Sequence, residues 1–302
     1  MQLLAKRFFG TEFRLFAFGC SHYGTESHDK DLWIEFLKKV EATPNAIVFG
    51  LGDYLDFART AWRSHTKTYS EEDNFFESLD DMVDSALVRP FCAEVKKHCP
   101  SFSEKVVTMI EGNHHWKYAS GGRAGSTSTW EICRILNIPY GGLASWVRLT
   151  IYNSKGTEKF GSGRNLNILL NHGQSSGSQF ITSALGKLER QTVIGWRGVD
   201  ILLSSHNHML GHINNIQVGV SQKGEMRMIE HPLLVAKTGC FKKAYSSEPE
   251  ASSYEERSFF KPHARGWFEC TLKTKRGTIP MRNNKRLTSE PNEKWEFCDF
   301  NS

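Results

Sequence analysis

The sequence predicts one α/β domain in which two sheets are flanked by helices. Short apolar runs alternate with amphipathic helical patterns through the first half of the chain. Polar turn residues follow each apolar run, as is typical of short buried strands. After residue 212 the pattern changes to short strands and turns, with no internal repeat and no clear linker. We therefore assign residues 1–302 to a single domain, with a core in 13–212 and C-terminal strands in 213–302.

The elements follow from the spacing of apolar residues. Trp33, Phe36, Leu37 and Val40 share one helical face, and Thr43 precedes a proline that ends this helix. Similar spacing predicts helices at 31–40, 75–87, 129–136 and 178–190. Continuous apolar runs predict buried strands at 15–18, 46–50, 106–110, 145–152, 166–170 and 199–203. Shorter runs between turn residues predict strands at 216–220, 226–230, 233–237 and 266–272.

Composition limits the class of protein. The chain of 302 residues can bury a sizeable core, and it lacks an apolar stretch of the ~18–20 residues needed to span a membrane. Seven cysteines without a C-x-x-C pair favour reduced thiols over a disulfide framework. We therefore expect a cytoplasmic protein that is not bound in a membrane. The formal charge of +5 is mild and by itself indicates no partner.

Five of the predicted strands end in residues with similar chemistry. The turns that follow them contain Cys20-Ser21-His22, Gly52-Asp53, Gly112-Asn113-His114, Asn171-His172 and Ser205-His206-Asn207-His208. Imidazole, carboxylate, amide oxygen and thiolate are groups that bind divalent metals. Because open α/β proteins place their ligands at the carboxyl ends of strands, we expect these residues to converge on one edge of a sheet. The sequence therefore predicts a metal site.

The order of these motifs resembles that of the calcineurin-like metallophosphoesterases, and it extends from Cys20 to His208. Any one motif is weak, but five in order, each at a strand end, are specific. The resemblance implies a four-layer α-β-β-α sandwich of two mixed sheets with a dinuclear metal site at the strand ends. Phage-encoded and prokaryotic relatives of the DNA-repair nucleases share this architecture.

The resemblance also assigns roles to individual residues. It implies that one metal is bound by Cys20, His22, Asp53 and His208. It implies that the second metal is bound by Asp53, Asn113, His172 and His206, so that Asp53 bridges the two ions. His114 would then act beside the leaving group, and Asp56 would orient His114 or a metal ligand.

The expected chemistry agrees with these residue types. Two ions roughly 3.5–4 Å apart need a bridging carboxylate, and they lower the pKa of a bound water to about 7. The resulting bridging hydroxide would attack a phosphoester in line. The neutral amide of Asn113 adds no charge that would repel an anionic substrate. We expect two divalent ions of Mn, Zn or Fe.

The sequence differs from the family pattern at three positions. Cys20 stands where the family has aspartate, and it is either a thiolate ligand or a packed thiol. His115 replaces the usual acid after His114, either supporting a ligand or lying at the surface. Phe57-Ala58 replaces the Arg-Gly of the Ser/Thr protein phosphatases. Phosphate contacts could come instead from arginines that are otherwise surface residues: Arg59, Arg63 and Arg123.

These observations favour a metal-dependent phosphoesterase, and a phosphodiesterase over a monoesterase. The basic residues from Lys261 to Arg286 suit a nucleic-acid or nucleotide substrate, although such runs are also common on exposed strand edges. The segment Trp116-Lys117-Tyr118 could stack on bases or close the core. The alternatives are a phosphatase acting on a protein or metabolite, and a scaffold of the same fold with weak catalysis.

Overall fold

The computed structural model describes residues 1–56, 79–119, 121–152, 164–173, 180–220, 228–245, 264–283, 286–298 and 300. Its strands are β1 (Gln2–Phe9), β2 (Glu12–Phe18), β3 (Ala46–Gly50), β4 (Val106–Met109), β5 (Ala144–Tyr152), β6 (Arg164–Asn171), β7 (Ile201–Ser204), β8 (Gly211–Val220), β9 (Met228–Lys237), β10 (Phe268–Asn283) and β11 (Arg286–Cys298). Its helices are α1 (Lys30–Ala42), α2 (Arg89–His98), α3 (Phe102–Lys105), α4 (Ser128–Leu136) and α5 (Ile181–Gly195). A helix at 79–83 and a π-helical turn (Asp84–Val88) lead into α2, and Gly121–Arg123 forms a 3₁₀ turn.

The strands form two mixed sheets, so this part of the predicted fold is confirmed. The six-stranded sheet has the order β1-β5-β6-β7-β9-β8, in which β6, β7 and β9 are parallel. The five-stranded sheet has the order β11-β10-β2-β3-β4, in which β2, β3 and β4 are parallel. Carboxyl ends of parallel strands lie at one edge, and each sheet therefore presents three such ends to the turns that follow.

Alternation of side chains along each strand divides the core. In β2, Leu15 and Ala17 pack between the two sheets, whereas Phe16 and Phe18 face the helices. The same alternation places Ile47 of β3 between the sheets. Residues two apart point to the same face of a strand, so fully apolar runs are those of strands buried on both faces.

Helices cover the outer face of each sheet. Trp33 and Phe36 of α1, together with Phe91 of α2, pack on the five-stranded sheet. On the other side, Leu185 of α5 packs against Leu202 and the six-stranded sheet. The chain thus stacks helices, sheet, sheet and helix in four layers. Within the parts of the chain described, no helix combines the length and the apolar character needed to cross a membrane.

Several boundaries differ from prediction. The strands expected at 226–230 and 233–237 are one strand, β9. Pro232 is tolerated within β9 because β7 pairs with it only from Leu234 onward, so that β9 has a single neighbour at the proline. Strands β1 and β11 and helix α2 were not predicted. Half-buried residues alternate with exposed ones along β1, a weak pattern that is typical of an edge strand.

Candidate metal centre

The predicted site residues follow strands of both sheets. Cys20, Asp53 and Asn113 follow β2, β3 and β4, whereas His172 and His206 follow β6 and β7. The expectation that they meet at the edge of one sheet is therefore wrong. They meet because the two sheets are stacked with these strand ends on the same side, which brings the turns of one sheet against those of the other.

The backbone of these turns is strained. Non-glycine residues rarely adopt positive φ angles, and such conformations cluster at functional sites. Five predicted ligands have φ between 46° and 75°, namely Cys20, His22, Asp53, His206 and His208. Among the other described non-glycine residues only Asn137 does so, at the C-terminal cap of α4. Positive φ angles of non-glycine residues are thus concentrated in the turns that carry the predicted ligands.

Two glycines allow the turns after β3 and β4 to touch. A Cβ on Gly112 would overlap the Asp53 carboxylate, and one on Gly52 would overlap the Gly112 backbone. Close backbone approach of this kind requires glycine. It lets the Asp53 carboxylate reach the backbone N–H of His114, which donates to Oδ1 at 2.8 Å.

Four donor atoms meet on the side of the second predicted ion. His172 Nε2 lies 3.0 Å from Asp53 Oδ2 and 3.0 Å from Asn113 Oδ1. His206 Nδ1 lies 3.0 Å from Asn113 Oδ1 and 3.2 Å from His172 Nε2. His172 Nδ1 lies 2.5 Å from the Leu51 carbonyl, and this contact holds the ring with Nε2 toward the other three atoms.

This donor set fits a divalent metal. Burial, followed by the nearby His172, lowers the pKa of His206 to about 4, so its ring is neutral at pH 7. The four atoms are two imidazole nitrogens and two side-chain oxygens, all of which are types of donor that divalent metals bind. Donors around one tetrahedral zinc are spaced about 3.3 Å apart, given metal–nitrogen distances of about 2.0–2.1 Å. The contacts of His172 Nε2 with Asp53 and Asn113 and those of His206 Nδ1 with Asn113 and His172, at 3.0–3.2 Å, are close to that spacing.

A second group of donors lies on the side of the first predicted ion. His22 Nε2 and His208 Nε2 are 3.2 Å apart, and these two atoms together with Cys20 Sγ lie within 4.8 Å of one another. Burial lowers the pKa of His22 and favours the neutral ring that metals bind. Cys20, Asp53 and His172 also form such a group, so the two sets are adjacent.

Asp53 is a buried carboxylate that stays ionised. Burial alone would raise its pKa, but the hydrogen bond with His172 and the neighbouring His22 and His114 hold the pKa well below its usual range. Its Oδ1 is held by the His114 amide, and its Oδ2 faces His172. Asp53 therefore supplies the negative charge at the point where the two donor sets meet.

Asp56 links a predicted ligand to the predicted acid. Its Oδ2 lies 3.2 Å from His22 Nδ1, and its Oδ1 lies 3.1 Å from His114 Nδ1. Burial would raise the pKa of Asp56, yet hydrogen bonds from His114 and His22 lower it. The His114 side chain is 23% exposed, against 3% for His22. Asp56 thus fixes His22 Nε2 toward His208 while the more exposed His114 is left accessible.

The structure decides between the two roles that the sequence left open for His115 and for Trp116. His115 Nδ1 donates to the Gly112 carbonyl at 2.8 Å, so its ring supports the turn that carries Asn113. Trp116 is buried, and its Nε1 donates to Asp80 Oδ1 at 2.7 Å. The stacking interpretation is therefore wrong for Trp116, because its ring faces the core.

The proposed arginine contacts receive no support from the described residues. Arg123 Nη2 lies 2.7 Å from Asp81 Oδ1, and the guanidinium lies 4.7 Å from the centre of the Tyr118 ring. The Arg123 guanidinium is therefore engaged by Asp81 and Tyr118. Arg59 and Arg63 fall outside the described residues.

Sequence reasoning missed Ser205. Its Oγ lies 3.1 Å from Cys20 Sγ and accepts a hydrogen bond from Thr238 Oγ1 at 3.0 Å. A Cβ on Gly19 would overlap this hydroxyl. Burial, followed by the charge of Asp53, raises the pKa of Cys20 above its usual value, which describes a neutral thiol when no metal is bound. Metal binding at Cys20 would therefore release a proton.

Substitution of Cys20 distinguishes a ligand from a packed thiol. We expect Cys20→Ser to weaken one metal site, because a neutral hydroxyl replaces a soft charged donor. Cys20→Asp should retain both sites and shift the preference from Zn²⁺ toward Mn²⁺ or Mg²⁺. Cobalt-substituted protein should show a sulfur-to-metal charge-transfer band that both variants lack.

Cys240 provides the matched control. It is as fully buried as Cys20 but belongs to none of the donor groups among the described residues. Cys240→Ser should keep the cobalt band and the metal content. Retention of the band in Cys20→Ser would show that Cys20 is not a ligand.

Comparisons with known proteins return structural likeness at low identity. No protein-family model and no curated protein matches the sequence. Vps29 from Chaetomium thermophilum is similar with a TM-score of 0.31 and 10% identity, over 95% of each chain. A predicted phosphoesterase from Streptococcus pneumoniae TIGR4 has a TM-score of 0.27 and 12% identity, over 88% of this chain and 86% of that one. Zinc-complexed Vps29 from Entamoeba histolytica has a TM-score of 0.24 and 14% identity, over 64% and 82%.

Proposed function

We propose that this chain is a metal-dependent phosphoesterase with two divalent ions bound at the candidate centre. The observation that carries the proposal is the position of Asp53, an ionised carboxylate between two sets of donor atoms. One set comprises Cys20, His22, Asp53 and His208. The other comprises Asp53, Asn113, His172 and His206. Zinc and iron suit the thiolate and imidazole donors, and manganese suits the oxygen donors.

In this proposal the metal ions activate water, and a protein side chain protonates the leaving group. When bound, two divalent ions lower the pKa of water to about 7 and neutralise phosphate charge. His114 is the side chain left to act on the substrate, because it belongs to neither donor set and its ring, with Nδ1 3.1 Å from Asp56 Oδ1, is 23% exposed. In this proposal His114 Nε2 protonates the leaving oxygen. Asp56 keeps the ring in the orientation and tautomer that this step requires.

We propose a phosphodiester substrate. A monoester carries an extra negative charge, and relatives that hydrolyse monoesters bind it with the Arg-Gly that Phe57-Ala58 replaces here. Hydrogen bonds to charged groups contribute about 1.5–3 kcal/mol, so their loss costs roughly tenfold or more in monoester turnover. We expect kcat/KM for bis(p-nitrophenyl) phosphate to exceed that for p-nitrophenyl phosphate by at least about tenfold with Mn²⁺, Zn²⁺ or Fe²⁺. Equal turnover, or faster monoester cleavage, would instead indicate a phosphatase.

Nucleic acid is the diester that the basic C-terminal run would favour. Lys273 of β10 pairs with Glu12, at the start of β2, whereas Cys20 follows the end of β2. A strand of this length spans about 20 Å, so Lys273 lies about 20 Å from the metal centre. Only a long polynucleotide could contact both places.

Cleavage of a short diester and binding of a long one therefore separate the contribution of the metal centre from that of the basic run. Joint replacement of Lys273, Lys275 and Arg276 by alanine should leave cleavage of a dinucleotide unchanged. It should also flatten the salt dependence of binding to a long single strand, because fewer phosphates are neutralised. An unchanged salt slope would indicate that the run is only a protected strand edge.

A scaffold with weak catalysis is the second candidate. The observation that favours it is the buried neutral thiol of Cys20, which is already hydrogen-bonded to Ser205. A scaffold need not retain two metals or turn over either ester, and metal content measured beside turnover distinguishes it from an enzyme.

A further inference from the structure

A row of polar side chains crosses three parallel strands on the face of the six-stranded sheet that packs against α5. Asn171 of β6 is the register partner of Ser204 of β7, and Ser204 is the partner of Lys237 of β9. The residues two positions earlier, Leu169 and Leu202, are apolar and belong to the core beneath α5. The polar row therefore replaces the apolar core at the carboxyl ends of these strands.

Two members of this row are buried with unused hydrogen-bonding capacity. Ser204 is fully buried, and its Oγ has no hydrogen-bond partner among the described residues. Lys237 is 4% exposed, and its Nζ donates to the Ser205 carbonyl at 3.0 Å. No described carboxylate forms an ion pair with Lys237. Buried polar groups are normally satisfied, so an orphan hydroxyl in the same row as an unpaired ammonium indicates a missing partner.

The third member has a donor to offer. Asn171 Oδ1 accepts a hydrogen bond from the Gly173 N–H at 2.6 Å, which leaves the NH₂ group of the side chain without a partner among the described residues. Ammonium, hydroxyl and amide groups together provide several donors. An anionic head group with two or three oxygens supplies acceptors for such donors.

The row lines a cleft with room for a small molecule. The cleft between α5 and the sheet has a volume of about 520 Å³, within the range of small-molecule sites. Trp196 and Leu188 form apolar walls, and Lys187 and Arg190 add positive charge. No acidic residue lines the cleft in the described parts of the chain. Its charge selects anions, and its walls select an apolar or aromatic body.

Lys237 carries the charge that such a site needs. Burial lowers its pKa to about 8, so the ammonium is still the major form at pH 7. A buried cation that is held by one carbonyl gains from any anion that enters the cleft.

We propose that this cleft binds a small organic anion, with its carboxylate or phosphate-type head group on Lys237, Ser204 and Asn171 and its apolar body against Trp196. The site is distinct from the metal centre, because Ser204 faces α5 whereas the neighbouring Leu203 faces the core between the sheets. It adjoins the centre through the backbone. Asn171 precedes His172, and Lys237 binds the carbonyl of the residue before His206.

Titration calorimetry of the metal-loaded protein with benzoate and with phenylphosphonate tests this proposal. Wild type should bind at least one probe, and comparison of the two identifies the preferred head group. Lys237→Met should weaken binding by about 10- to 100-fold, because a hydrogen-bonded charge is lost while the side-chain length is kept. Lys97→Met, at an exposed lysine of α2, should leave binding unchanged.

Ser204→Ala gives an independent test through stability. It should weaken binding by about 3- to 10-fold, and it should raise the melting temperature of the unliganded protein by removing the orphan hydroxyl. A hydroxyl with a purely structural role would not combine these two effects. Equal affinity of wild type and Lys237→Met, or no binding of either probe at millimolar concentration, would overturn the proposal.

Discussion

Asp53→Asn is expected to remove both metal ions and to reduce phosphoesterase activity by about 10³-fold or more. The substitution preserves shape but deletes the charge at the point where the two donor sets meet. Metal ions supply several kcal/mol of charge stabilisation in such reactions, and each 1.36 kcal/mol corresponds to tenfold in rate. Metal analysis and turnover of the diester, measured on the same preparation, check this result.

Asp31→Asn is a suitable control, because Asp31 is an exposed acid in the first turn of α1. It should retain the metal content and the activity of wild type. Full metal occupancy in Asp53→Asn would show that Asp53 does not bridge the two ions.

His114→Ala is expected to lower turnover by about 10²–10⁴-fold while both metals stay bound. The His114 side chain lies beside Asp56 and belongs to neither of the two proposed ligand sets, and alanine keeps the backbone N–H that binds Asp53, so the substitution removes a proton donor and leaves the donor sets intact. The effect should fall mainly on kcat, since the proton is transferred in the transition state.

His115 is the matched control for this substitution, with a side chain 27% exposed against 23% for His114. His115→Ala removes the hydrogen bond to the Gly112 carbonyl and should reduce turnover by less than about tenfold. Loss of metal from His114→Ala would assign His114 as a ligand. The group of His22, Asp56 and His114 would then be a metal site in its own right.

The core strands are predictable because their pattern is local. Leu15 to Phe18 and Ala46 to Gly50 are apolar on both faces, as a strand between a helix layer and a second sheet must be. The partition of strands into two sheets is not predictable in this way. A buried run such as 166–170 reveals that both faces are covered, but it does not reveal which strand lies beside it.

The site likewise has features that the local sequence predicts and features that only the fold determines. Strand-end residues such as Asp53 and His172 stand out because polar side chains follow apolar runs. The contacts that fix them depend on packing between distant segments, as in the bond from His172 Nδ1 to the Leu51 carbonyl. The sequence did not mark Lys237 as a site residue, for a different reason. A single lysine at the end of a strand is common on surfaces, and only the structure shows that this one is buried.

The central claim is that two overlapping donor sets bind two divalent ions. Anomalous diffraction from crystals of zinc- or manganese-reconstituted protein tests it most directly. We predict two anomalous peaks per chain, one among Cys20, His22 and His208 and one among Asn113, His172 and His206, with Asp53 contacting both. A single peak, or two peaks without a shared contact to Asp53, would contradict the account.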